Sequence, residues 1–415
     1  MVIAQHRVTL SEVASALEER PSSLAVDLIN LAAQLYAADR SNRRGRFWKR
    51  SLRIPVIVSE LDAWSRARRY LEEALTKLTD DEWQVSLIQG RQPFPEERQP
   101  WLLKSKEHGL TSVALFSGGL DSFAGAASWL EDHPAEILGL VSVSSSTVTG
   151  RVQKDLVSFL SDSFPDRVYQ LRVPLNLIDA PDVERSQRSR GLIYTATATA
   201  IANCAGVDRV LVFENGYGAI NPRLLQYQEG AQANKSTHPY VLHLLEVAYR
   251  MAGLACKIEL PHVTETKAEL LKRIPDRLRA GIRLSVSCDS FPLRIKESKQ
   301  CGYCGSCVLR QQAIRVAGLG EFDRIDYLSS PFRESRRLRY LALMAFQAKQ
   351  LAEWITSDVE EAAEAWPELA VGLDGQLSLE RIEWLNMLHR YGLEWQRIVA
   401  EGAALGARLG WTSHS

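Results

Sequence analysis

The chain has 415 residues, more than one compact core usually holds, so two or three domains are expected. Hydrophobic residues at 46% and charged residues at 24% describe an ordinary globular protein, and 50 basic residues offset 50 acidic ones. That balance excludes a whole-molecule field drawing the chain onto nucleic acid or a membrane surface. The opening stretch MVIAQHRVTLSEV lacks the apolar core of a signal peptide, and no apolar run approaches the roughly 20 residues of a transmembrane helix, so a cytoplasmic location is expected.

Residues 1–108 read as an accessory α+β domain. The pattern SSLAVDLINLAAQLYAADR predicts one helix, LDAWSRARRYLEEALTKL a second, and RIPVIV between them a strand. The stretch GRQPFPEERQP, rich in proline and charge, suits a linker. From residue 109 to 327 the texture alternates. Apolar runs TSVALF, EILGLVSV, RVYQLRV and RVLVFE are separated by helical stretches such as RGLIYTATATAIANCAG, the pattern of a parallel α/β sheet with crossover helices. Residues 328–415 carry only helical patterns, including RRLRYLALMAFQAKQLAEWI and SLERIEWLNMLHRYGLEW, and read as a helical extension.

Directly after the first core strand comes LFSGGLDSFAGA, Leu115 to Ala126. Glycines let the backbone approach an anion, and the free amides of a helix start point toward it. Ser117 and Ser122 add hydroxyl donors, and Asp121 either holds magnesium through water or caps the helix. A tight strand-to-helix turn without a ligand would need the same glycines. No Gly-Lys pair occurs anywhere in the chain, which rules out a Walker loop, and NGYGAIN (Asn215 to Asn221) fails the dinucleotide fingerprint at its third glycine.

Four of the six cysteines cluster as Cys288, Cys301, Cys304 and Cys307, the last three spaced by two residues each, with Gly302 and Gly305 permitting a tight backbone. Four thiolates close a tetrahedral zinc shell and leave no position for water, which argues for a structural metal. An iron–sulfur cluster uses the same ligands, and plain buried cysteines need none.

Ser-Gly-Gly-Leu-Asp-Ser resembles the PP-loop of the ATP pyrophosphatase superfamily. Together with the cysteine knuckle at 288–307, SVSC before it, CGYCGSCVLR within it, and ETKAEL at Glu265 to Leu270, residues 109–327 resemble the 7-cyano-7-deazaguanine synthases (QueC). The resemblance implies a PP-loop α/β core with ATP, Mg2+ and Zn2+. ATP would be held by Ser117, Gly118, Gly119, Leu120, Asp121 and Ser122. Catalysis would fall to Asp121, Ser117 and Lys267, the lysine as a phosphate contact. It also implies adenylation of the carboxylate of 7-carboxy-7-deazaguanine, or a related deazapurine acid, with release of pyrophosphate. Arg190, Gly216, Tyr217 and Arg223 are the residues retained from the family's substrate segments.

Departures from the family pattern are specific. TVTGRVQKDL keeps Gly150 without its flanking Tyr and Gln, and NGYGAINPR lacks the acidic residue of the family's Ser-Gly-Tyr-Pro-Asp-Cys-Arg loop, so carboxylate activation is better supported than nitrile formation. The two extensions resemble the QueC-like component of Qat-type anti-phage defence systems. The expected acceptor amine is ammonia or, given the extensions, a group on a protein of the same system; otherwise the extensions would build a homodimer. Two rival readings are an RNA-base-modifying PP-loop enzyme and a catalytically silent nucleotide sensor in a defence complex. Neither membrane nor nucleic acid is an expected partner. The stretch RSNRRGRFWKRSLR gathers arginines around Phe47 and Trp48, either as a nucleic-acid or acidic-partner site or as a solvated loop beside a buried tryptophan.

Overall fold

The computed structural model describes residues 5–8, 21–45, 48–90, 109–178, 183–224, 235–332, 337–354, 366, 369 and 378–401. Five parallel strands form the centre: β4 (Ser112–Leu115), β5 (Leu138–Ser144), β6 (Val168–Ile178), β7 (Arg209–Val212) and β8 (Lys257–Glu259). Their spatial order is β6-β5-β4-β7-β8, and β1 (Gln5–Val8) adds an antiparallel edge beside β6. The α/β class with a parallel sheet is thus as the alternating pattern indicated. Among the described residues no helix is long and apolar enough to cross a membrane.

Both faces of this sheet are covered, which explains why its strands are apolar throughout rather than alternating with polar residues. Ala114, Leu138, Leu140 and Leu211 point to one side, against α3 (Leu120–Asp132) and α4 (Thr147–Ser163). Val113, Val141, Val143, Val210 and Val212 point to the other, against α5 (Arg190–Cys204) and α7 (Pro239–Ala252). From β4 the chain steps by way of α3 and α4 to β5 and β6, then returns across the opposite face through α5 to β7. The strand order therefore reverses between β4 and β7. Ligands of open parallel sheets bind in the crevice that such a reversal leaves beyond the carboxyl ends of the strands.

Toward the N-terminus, α1 (Ser23–Ser41), β2 (Ser51–Val58), α2 (Leu61–Thr79) and β3 (Glu82–Gln89) form a unit with its own two-stranded parallel sheet. The strand β3 is not apparent from the sequence reading, because only Trp83 and Val85 of its residues are fully buried. Helix α1 lies on α5 and α2 on α7, and a single apolar cluster runs from Leu28, Leu31 and Trp64 through Leu192 and Leu245 to Val210. Beneath it, the fully buried Asp27 of α1 accepts the backbone N–H groups of Ser59 and Glu60 at 2.8 Å each and the indole N–H of Trp64 at 3.2 Å.

The arginine-rich stretch turns inward. Arg44 grips Asp81 with two hydrogen bonds of 2.7 and 2.8 Å and lies 4.5 Å over the Trp48 ring, while Arg50 bridges Asp81 and Asp39. Asp39 also accepts the N–H and hydroxyl of Ser189, just before α5, so the cluster fastens the N-terminal unit to the core. A solvated loop does not describe Arg44 or Arg50. Arg46, Phe47, the 91–100 part of the linker and most of SDVEEAAEAWPEL (357–369), an acidic sequence that could face the arginines or form an exposed helix, lie outside the described residues.

Replacing Asp27 by Ala leaves the buried indole N–H of Trp64 and the part-buried amides of Ser59 and Glu60 without their acceptor. At about 1–3 kcal/mol for each buried group left without an acceptor, urea unfolding is expected to register a loss of about 3 kcal/mol or more. Because one cluster joins the N-terminal unit to the sheet, the loss should appear as a shift of one transition. A separate early step would show instead that the unit unfolds by itself.

Candidate nucleotide site

The loop after β4 is fixed by its backbone geometry. Gly118 has φ +81°, a left-handed conformation open to glycine, and a Cβ there would lie 3.2–3.3 Å from Val152 and Gln153 of α4. Gln153 reaches the carbonyls of Phe116 at 3.2 Å and Val143 at 3.4 Å, holding the ends of β4 and β5 level. Two amides at the start of α3 are covered by hydroxyls. Gly119 N–H donates to Ser117 Oγ at 3.2 Å, and Leu120 N–H to Ser287 Oγ at 3.1 Å. Ser122 Oγ donates to the Gly119 carbonyl at 2.9 Å, while Ser117 is exposed. Hydroxyls in these places are exchangeable acceptors at a helix start, where an anion would find the same amides.

Asp121, in the first turn of α3, is 9% exposed and ion-paired with Lys267, itself 4% exposed. Lys267 is the first residue of α8 (Lys267–Lys272), whose N-cap Thr266 forms a reciprocal capping box with Glu269. The other oxygen of Asp121 accepts Asn215 Nδ2 at 2.9 Å, and the same amide nitrogen donates to Glu214 at 2.9 Å. Asn215 also caps α6 (Gly216–Ile220) by accepting Gly218 N–H at 2.9 Å. Lys267, Asp121, Asn215 and Glu214 therefore form one connected row across the reversal between β4 and β7. Burial, reinforced by the nearby charge of Asp121 and opposed by Lys267, pushes the Glu214 carboxyl up to about 8.

The sequence reading joined Lys267 to the loop only through family resemblance; the structure puts them in contact. Glu214 and Asn215 were not singled out, although they close the strand β7 that faces the glycine loop. The four residues taken from the family's substrate segments are engaged by other parts of the fold, although Gly216 directly follows Asn215. Arg190 opens α5 with its guanidinium 5.1 Å from the Tyr194 ring centre and close to Tyr36. Tyr217 is buried with its ring stacked 4.0 Å from Tyr391, and its hydroxyl donates to Gln347. Gly216 is packed beneath Met387, and the Arg223 carbonyl accepts Gln347 Nε2 at 2.7 Å.

The second site candidate is the cysteine cluster. Cys288, Cys301, Cys304 and Cys307 are all buried, and their sulfurs lie within 4.8 Å of one another. Cys301 and Cys307 sulfurs are 3.8 Å apart, matching the ~3.8 Å edge of a tetrahedron with metal–sulfur bonds of about 2.3 Å. Backbone N–H groups of Cys301 and Cys304 point at the sulfurs of Cys288 and Cys301, both at 3.3 Å, as they would toward thiolates. Gly302 adopts φ +85° and passes so close to the Ser329 carbonyl that no side chain fits. The group could hold a metal such as zinc. Arg310, fully buried on α9 (Gly305–Val316), ties it to the core by donating to Ser285 Oγ, the Ile282 carbonyl and Asp323. No protein-family model, curated protein or solved structure matches the chain.

The raised Glu214 carboxyl yields a prediction of definite sign. In the folded chain it keeps its proton to about pH 8, whereas unfolded it ionises near 4.5, so folding binds a proton between those values and stability falls as pH rises through that window. Glu214→Gln removes the titration. Melting temperatures measured from pH 5 to 9 should decline less in the variant than in the parent, and parallel curves would refute the assignment.

Proposed function

We propose that the chain is a PP-loop ATP pyrophosphatase of the QueC type, activating the carboxylate of 7-carboxy-7-deazaguanine or a related deazapurine acid as its adenylate. The observation that carries this reading is the meeting of the SGGLDS loop, Lys267 and Asn215 at the reversal of strand order. Amides of Gly119 and Leu120, released from Ser117 and Ser287, would face the phosphates of ATP, with the hydroxyls of Ser117 and Ser122 beside them. Lys267 supplies the cation that balances charge on the departing pyrophosphate. A substrate carboxylate oxygen attacks the α-phosphorus, the bond to the β-phosphate oxygen breaks, and pyrophosphate leaves with the electron pair. An amine nitrogen then adds to the activated carbonyl as AMP departs. The acceptor amine would be ammonia or a partner protein in anti-phage defence. Such catalysis is positioning and charge stabilisation, without a covalent enzyme intermediate.

Asp121 is the loop carboxylate suited to Mg2+, which when bound would neutralise the phosphates. Arg190, which faces Tyr194 and Tyr36, is proposed as the cation for the acid on the resemblance alone. For the cysteine cluster we propose Zn2+. Sulfurs this close converge on one ion, whereas an iron–sulfur cluster spreads its thiolates around several metal atoms.

Incubation with ATP and 7-carboxy-7-deazaguanine should yield AMP and pyrophosphate, the acid stimulating the rate. Asp121→Ala is expected to lower kcat by about 100-fold or more, since it removes the partner of a buried lysine beside the reacting phosphates. Formation of ADP and phosphate would defeat the assignment, and tight ATP binding without cleavage would favour the sensor reading. Metal analysis of the purified protein should find about one zinc per chain, and Cys304→Ser should lose it together with thermal stability. Iron together with acid-labile sulfide in place of zinc would decide for the cluster.

A further inference from the structure

The C-terminal helices α10 (Arg339–Trp354) and α11 (Ser378–Glu401) reach back to the row of polar residues described above. Met387, Arg390, Tyr391 and Glu394 occupy positions i, i+3, i+4 and i+7 of α11, a single stripe along its length. That stripe abuts the two short elements that supply Asn215 and Lys267. Glu394 accepts the Thr266 hydroxyl at 2.5 Å and Gln312 Nε2 at 3.0 Å. Arg390 donates to Glu269 at 2.7 Å and to the Thr264 carbonyl at 2.8 Å. Met387 fills the space over Gly216, where a Cβ would come within 2.4 Å of its methyl group, and Tyr391 stacks on Tyr217.

Six residues are too few for α8 to hold its own shape, since helices much shorter than about 12 residues are marginal without outside support. Its capping box is Thr266 with Glu269, and α11 binds both members, one through Glu394 and the other through Arg390. Thr266 immediately precedes Lys267. We propose that α11 sets the position of Lys267 against Asp121, with Glu394 as a positioning residue that acts through Thr266. The catalytic meaning of this placement rests on the ATP reading above; the placement itself does not.

The test uses the full chain and two readouts, one of which needs no turnover. Lys267 acylation by an amine-reactive ester, mapped by mass spectrometry, should be slow in the parent, where the lysine is buried and paired. In folded Glu394→Ala it should quicken about 5-fold or more, the equivalent of one lost hydrogen bond. Glu394→Gln, which keeps an acceptor for Thr266, should stay within about twofold of the parent. With ATP, kcat for AMP formation should fall further than KM rises in Glu394→Ala. Should that variant fail to fold, Arg390→Gln takes its place with the same expected direction. Parental labelling rates in a folded variant, or equal effects of the Ala and Gln substitutions at 394, would overturn the proposal. A parent that labels as expected yet does not cleave ATP would instead remove the functional reading and leave the positioning role intact.

Discussion

The ion pair between Asp121 and Lys267 is the constraint around which this architecture is arranged. Two charges withdrawn from water are costly, and their mutual attraction compensates only if neighbouring groups satisfy what remains of each. Asn215 does so for the second oxygen of Asp121, and Glu214 accepts the remaining proton of that amide. Three chain segments, far apart in sequence, must therefore arrive together: the start of α3, the end of β7 and the start of α8. The doubly covered sheet makes this feasible by holding β4 and β7 side by side in parallel register, Val113 against Val210 and Leu115 against Val212.

Support comes from behind on two sides. The segment leading into the cysteine cluster is stitched to the glycine loop, because Val286 N–H donates to the Gly118 carbonyl and Ser287 accepts Leu120 N–H. Ser287 adjoins Cys288, so a metal held by the four sulfurs would brace the loop through one peptide unit. On the other side α11 closes over α6 and α8. The N-terminal unit is held at another point: its buried arginines and aspartates bind it to Ser189, at the start of α5.

What could be read from the sequence was local. Ser117 to Ser122 and the four cysteines announce themselves because glycine and cysteine spacing over a few residues constrains the chemistry directly. The apolar runs gave the core strands for the same reason, their doubly buried faces leaving no polar alternation. Asn215, Ser287 and Glu394 gave no such signal, since each acquires its part from a residue roughly 90 to 170 positions away. Tyr217 illustrates the converse. Beside Gly216 it reads as a ligand contact, yet the helices that enclose it begin more than a hundred residues later. Arg44 and Arg50 likewise look like a basic surface until Asp39 and Asp81 are seen to neutralise them.

The grip of Glu394 on Thr266 bears on how the molecule comes into being. During synthesis the glycine loop and the Lys267 segment both leave the ribosome before the helix that steadies the latter. Between residues 267 and 394 all strands of the sheet are present while the polar row stays unbraced. A product truncated between residues 308 and 393 would keep the glycine loop and the four cysteines and lack the final clasp. Loss of that helix would thus be felt at Lys267, through one bond between a threonine and a glutamate.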